Sequence, residues 1–223
     1  LEQAGKYIEE RLPEETIFEG SATSDPIPVE PYSHSLKRAI QYFSKTEKGR
    51  FRFATKFTDV DTLLDVDHGG RTEVRFTLNT DRVIQDFETG TPLMSKRIEA
   101  AKKIISAEYP TGFLIAPVFL YNNWQNDYRN MLEQLKDVLL KKTVYPVTFE
   151  VISHRYTPRA KDIITKIFPD TKLPMDNEER TYKYGQFGYG KYLYQKEELE
   201  KIKSFFQEVI PAIFPDGVVK YII

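Results

Sequence analysis

Stretches in which apolar and polar residues alternate recur along the chain, separated by segments whose apolar residues fall three and four apart. In 49–57, Phe51 and Phe53 alternate with Arg50 and Arg52, which predicts a strand with one apolar and one charged face that opens into a loop at Thr55 and Lys56. Thr72 to Leu78 repeats the arrangement, with Val74, Phe76 and Leu78 set against Glu73, Arg75 and Thr77, and it opens at Asn79. Further strands are predicted at Thr16 to Glu19, at Gly112 to Ala116 with Pro117 as its stop, at Val147 to Ile152 and at Val218 to Ile222. Helical spacing covers 1–12, ended by Pro13, then Ser33 to Ser44, a short piece at Val60 to Val66, Asp81 to Phe87, Ser95 to Ala107 and Trp124 to Leu140. A helix through Ala160, Ile163, Ile164 and Ile167 and another from Glu197 to Val209 complete the set.

Strand, loop and helix thus recur with short connections. Right-handed crossovers then require a parallel sheet, either open and doubly wound or closed toward a barrel. In both, the loops leaving the C-terminal strand ends converge, so Ser24, Lys56, Thr77, Asn79, Ala116 and His154 are expected along one edge. The loop 20–26 is rich in small and hydroxyl residues and suits close backbone approach to a ligand, and Pro26, Pro28 and Pro31 stiffen its exit. No Gly-x-Gly-x-x-Gly follows a strand and no Walker loop occurs, which disfavours the nucleotide-binding folds of those types.

Composition narrows the classes. With 223 residues, 40% of them hydrophobic, the chain can bury a core as a single domain. A formal charge of -1 argues against a strongly basic nucleic-acid binder, so any DNA contact needs a local patch. No apolar run of about 18 residues and no signal peptide is visible, and the expectation is a soluble, cytoplasmic protein with no membrane partner. The absence of cysteine removes disulfides, thiolate metal ligands and thiol chemistry from these residues. The chain opens on Leu1 with helical spacing already under way, and is taken as a piece of something longer.

One patch does suit nucleic acid. In 181–194, tyrosines and a phenylalanine interleave with Lys183 and Lys191 around Gly185, Gly188 and Gly190, which predicts a hairpin with its tip near Gln186 and Phe187. Aromatics flanked by cations suit base stacking and phosphate contact, and equally suit packing against the rest of the fold.

Taken together, the segments 18–25 (FEGSATSD), 52–57 (RFATKF), 74–79 (VRFTLN), 115–117 (IAP), 149–155 (FEVISHR) and 183–192 (KYGQFGYGKY) resemble the spore photoproduct lyase family, in one order through essentially the whole chain. The resemblance covers the later part of a family member. It implies a radical S-adenosylmethionine enzyme with a partial, TIM-like β/α barrel of parallel strands, incomplete at its N-terminus, over 1–170, and a C-terminal hairpin, helix and strand over 171–223. It implies repair of a methylene-bridged thymine dimer in DNA: a reduced 4Fe-4S cluster cleaves S-adenosylmethionine, and the adenosyl radical takes a hydrogen from the lesion.

By that resemblance Ser24 contacts the cofactor's ribose, Lys56 and Thr77 its methionine carboxylate, and Asn79 and Ala116 neighbouring parts. Thr77 stands where a serine is common, and the swap keeps the donor. Lys183, Tyr184, Lys191 and Tyr192 are expected to face the DNA substrate, with Gln186 and Phe187 beside the flipped lesion in place of an arginine and a tyrosine. Two departures stand out. The Cys-x3-Cys-x2-Cys cluster motif falls before Leu1, and Ala22 occupies the position of the hydrogen-donor cysteine, where a methyl group offers no weak S-H bond. Ala22 fits an engineered substitution, a lineage with another donor, or a paralogue; the proline-rich stretch 26–31 favours a natural lineage.

The full-length protein is expected to be a monomer. Alternative readings are a non-catalytic fragment that binds DNA or the cofactor, a paralogue with another radical substrate, and a barrel enzyme using His154 and Lys56 on a small molecule. His154 reads better as a satisfied strand-end histidine than as a catalytic one, and His34 and His68 carry no signal. A barrel cut before its first strands exposes an edge, so the isolated piece is expected to dimerise or aggregate.

Overall fold

In the computed structural model, which describes residues 1–139, 143–185 and 188–223, the predicted alternation forms one parallel sheet. Strands β1 (Thr16–Gly20), β2 (Gly49–Thr55), β3 (Thr72–Leu78), β4 (Thr111–Val118) and β5 (Thr148–Ser153) lie side by side in chain order. β6 (Arg180–Tyr184) and β7 (Gly190–Tyr194) form a separate antiparallel hairpin. β8 (Val218–Ile222) then returns beside β5 and makes the sheet six-stranded.

The connections carry α1 (Glu2–Glu10), α2 (Glu30–Ser33), α3 (Ser35–Phe43), α4 (Asp81–Phe87), α5 (Met94–Ser106), α6 (Trp124–Val138), α7 (Pro158–Ile167) and α8 (Lys196–Ile213). Several start on the polar groups their sequences offer. The Thr80 hydroxyl accepts from Val83 N at 3.4 Å, Thr157 accepts from Ala160 N at 3.0 Å ahead of Pro158, and Gln195 with Glu198 forms a capping box.

The two faces of the sheet differ in kind. Phe51, Phe53, Val74, Phe76, Phe113 and Phe149 point toward the helices and are buried with Ile40, Ile104, Leu132 and Phe206. The alternate positions, among them Glu19, Arg52, Arg75, Thr77 and Glu150, point the other way. A doubly wound sheet needs both faces apolar beneath its helices. This one is covered on one side only and curls into a half barrel with a polar interior, which decides between the two architectures that the strand-helix alternation allows.

Some boundaries differ from expectation. β4 continues through Pro117 to Val118, because its register with β5 shifts between Ile115 and Val118 and no ladder N-H is required of the proline there. The helix expected over 60–66 is a single 3-10 turn, Asp61–Leu63, although Val60, Leu63 and Val66 are all buried as their spacing predicts. The predicted helix 33–44 is split: α2 ends at Ser33, His34 after it has a left-handed φ of 51°, and α3 begins at Ser35. Leu140, the expected end of the longest helix, lies outside the described residues. Of the segment beyond residue 170, the hairpin stands as its own sheet while β8 is part of the main one. Among the described residues, no helix is long and apolar enough to cross a membrane.

Candidate functional site

The loop after β1 is placed by one carboxylate. Asp25 accepts from the Thr55 hydroxyl at 2.8 Å, from the Lys56 main-chain N-H at 2.7 Å and from Ile27 N at 3.2 Å, which staples the loop to the end of β2. Gly20 is required at the loop's start, since a Cβ there would meet the Phe51 ring at 2.5 Å. Ala22 and Ser24 are thereby brought beside Lys56 and Thr77 around a cavity of about 490 Å³ at the C-terminal edge of the strands.

The cavity floor is an ion-pair network. Arg75 donates to both oxygens of Glu150 at 3.2 Å and also to Glu19; Arg52 donates to Glu19 at 2.8 Å and lies 3.8 Å from Glu150. The Tyr221 hydroxyl donates to Glu150 as well, and burial followed by that carboxylate pushes the phenol up to about 12. Charges this deeply buried persist only when paired. The polar alternation in β2 and β3 signals this face, but nothing local in the sequence matches Arg75 to Glu150.

Lys56 has a partner that sequence reasoning missed. Its ammonium is 2.9 Å from Glu88 Oε1, while Glu88 Oε2 accepts from Arg97 at 2.7 Å. Arg97 is fully buried and also donates to the main-chain oxygens of Thr77 at 3.0 Å and Pro92 at 2.9 Å.

Asn79 and Ala116 do not line the cavity. Asn79 is wholly buried: its amide donates to the Pro117 carbonyl at 2.8 Å, and its oxygen accepts from the Tyr128 hydroxyl at 2.8 Å and from Thr80 N at 3.1 Å. It ties the end of β3 to β4 instead of presenting polar atoms to the cavity. Ala116 is half-buried on β4, and Leu114 is the residue of that strand at the cavity wall.

His154 belongs to a second cavity of about 400 Å³, lined by Phe87, Glu88, Pro117 and Phe119, with Lys56 between the two. Its ring stacks on Phe119 with centroids 4.6 Å apart. Arg180 donates to the His154 carbonyl at 3.0 Å and lies 3.3 Å from Nδ1; since a guanidinium only donates, Nδ1 is the accepting nitrogen. Burial, then Arg180, lowers the imidazole to about 3. His154 is a neutral, satisfied histidine at the strand end.

The hairpin rises beside the end of β5, joined to it by the bridge between Tyr156 and Tyr192, whose rings stack at 5.3 Å. Arg180 roots it, with its guanidinium 3.7 Å from the centre of the Tyr194 ring. Gly190 leaves room for the Tyr182 ring, which a Cβ would strike. Tyr182 and Tyr184 are exposed, and Lys183 stands directly across from Lys191. Gln186 and Phe187 lie outside the described residues.

Parallel strands curled around a polar interior, with a cavity over their C-terminal ends, define a partial β/α barrel of the TIM type with its candidate ligand site at that edge. The whole chain, residues 1–223, matches the family described as "Spore photoproduct lyase". It belongs to that family.

The spore photoproduct lyase of Clostridium acetobutylicum is 51% identical over 223 residues, which is 100% of this chain and 66% of the relative. That of Bacillus subtilis is 45% identical over 221 residues, 99% of this chain and 65% of the relative. The chain therefore spans about two thirds of the length of these relatives. Among solved structures, a spore photoproduct lyase double mutant with bound AdoMet and dinucleoside spore photoproduct superposes with a TM-score of 0.96 at 40% identity, over 100% of this chain and 65% of that one. A spore photoproduct lyase complexed with dinucleoside spore photoproduct gives the same values.

Proposed function

We propose that these residues form the cofactor- and lesion-facing part of a radical S-adenosylmethionine lyase that repairs methylene-bridged thymine dimers in DNA. The observation that carries this reading is the convergence of Ala22, Ser24, Lys56 and Thr77 on one cavity, in a fold shared with a lyase solved with AdoMet and dinucleoside spore photoproduct.

The donor set fits S-adenosylmethionine. An ammonium at Lys56 and a hydroxyl at Thr77 suit a carboxylate held at the strand ends, and the Ser24 hydroxyl suits a ribose. When bound, the cofactor supplies the hydrogen-abstracting radical; the residues here hold, orient and shield it. Asn79 supports the end of β3 beneath it, and Ala116 follows Leu114 along the interior face of β4. The donor set does not fit an iron-sulfur cluster. There is no cysteine in the 223 residues, and among the described residues no group of three or more His, Cys, Asp or Glu stands ready for a metal. Any cluster ligands must come from elsewhere in a longer protein.

The hairpin suits the nucleic acid. Like charges directly opposite on a hairpin are destabilising, and a phosphate backbone relieves the Lys183 and Lys191 pair while Tyr182 and Tyr184 offer stacking faces. Tyr192 sits behind them against Tyr156. Gln186 and Phe187, between the two strands in sequence, are the residues this reading assigns to the lesion. The protein would act as a cytoplasmic monomer when complete.

Ala22 and the lack of cysteine favour a second reading, a piece that binds DNA or cofactor without turnover. The test is to express the full reading frame, reconstitute it anaerobically and follow S-adenosylmethionine cleavage with lesion-bearing and undamaged DNA. Lesion-stimulated cleavage supports the enzyme. No cleavage with an intact cluster overturns it in favour of the binding reading.

A further inference from the structure

Lys56 does not face its cavity as a free cation. Glu88 holds the ammonium at 2.9 Å, and a carboxylate in that place would cancel the charge an incoming anion needs. Arg97 changes the balance. Its guanidinium is fully buried and takes the other oxygen of Glu88 at 2.7 Å, so the three groups together keep one net positive charge.

Of the other charges nearby, Arg52 and Arg75 are matched by Glu19 and Glu150, while Asp25 keeps its negative charge and has both oxygens engaged by the Thr55 hydroxyl and the main-chain N-H groups of Lys56 and Ile27. The same Arg97 also donates to the Thr77 carbonyl at 3.0 Å. One side chain therefore holds the end of β3 at Thr77 and, through Glu88, the ammonium of Lys56.

We infer that Arg97 is a positioning residue that neutralises Glu88, leaving the Lys56 ammonium charged toward a ligand carboxylate while anchoring the end of β3. This rests on the reading of Lys56 and Thr77 as the carboxylate holders of the cofactor site. Arg97 touches no ligand itself and acts through Glu88 and the Thr77 backbone.

The experiment is equilibrium binding of S-adenosylmethionine and of decarboxylated S-adenosylmethionine to the reconstituted full-length protein and its variants. For a given ligand, any contact with the cluster is common to the unaltered protein and its variants. Arg97→Gln is expected to weaken S-adenosylmethionine binding about tenfold or more, with the decarboxylated ligand changed less than about twofold. Glu88→Gln, which removes the competing charge, should bind S-adenosylmethionine at least as tightly as the unaltered protein. The double variant should recover most of the loss, and Arg97→Lys should keep most of the affinity.

Unchanged binding in Arg97→Gln would overturn the inference. So would equal loss of both ligands without rescue by Glu88→Gln, since that marks a purely structural role. Should Arg97→Gln not fold, weaker binding by Glu88→Gln overturns the inference and equal or tighter binding sustains it. Equal affinity of the unaltered protein for the two ligands would instead remove the carboxylate reading on which the inference stands.

Discussion

Lys56 is the residue on which the proposed cofactor site turns, because it is the only lysine lining the cavity among the described residues. Lys56→Ala in the full-length protein is expected to weaken S-adenosylmethionine binding by tenfold or more, measured by equilibrium titration, without unfolding a side chain that is 29% exposed. His154 makes a prediction of the opposite kind, about stability. Its folded value near 3 lies below the ordinary 6.5, so the folded state binds fewer protons than the unfolded one as pH falls. The contribution is complete above about pH 6.5 and is lost on going down toward pH 3. Between pH 7 and pH 5 the unaltered protein should lose about 2 kcal/mol that His154→Asn does not lose, read from urea unfolding at each pH. An equal loss in both would mean that the ring is not buried against Arg180.

Local elements were largely legible. The strands 72–78 and 218–222 have the bounds expected of them, the first because its alternation of apolar and polar residues reports directly on a sheet strand. Where reading failed, a tertiary effect intervened: Pro117 is tolerated by a register shift, and the apolar triplet of 60–66 packs as a turn. Convergence of Ser24, Lys56 and Thr77 was legible because parallel strands deliver their ends to one edge. Asn79 sits at that edge too, yet its side chain turns into the protein toward Pro117 and Tyr128, a choice that no local pattern announces. Glu88 and Arg97 were invisible for the same reason, since they meet Lys56 only through the fold. At the hairpin, Lys183→Ala with Lys191→Ala should weaken DNA binding and flatten its dependence on salt by about two phosphate contacts, while the circular dichroism spectrum stays unchanged. A salt slope identical to that of the unaltered protein would take the hairpin out of the DNA interface.

The sheet is covered by helices on one face and lined with paired charges on the other, and among the described residues β1 pairs only with β2, leaving its outer edge open. Ile17 on that strand is 55% exposed. An open parallel edge beside apolar surface is a template for association, so residues 1–223 expressed alone are expected to sediment as dimers or larger species. A stable monomer in sedimentation velocity would show that the edge is protected.

Thymidine formation from dinucleoside spore photoproduct by the anaerobically reconstituted full-length protein tests the central claim most directly, with Ala22→Cys run beside it. The expected result is thymidine formation, greater with the thiol in place. S-adenosylmethionine cleavage without thymidine formation in either protein would contradict the assignment of this fold to lesion repair.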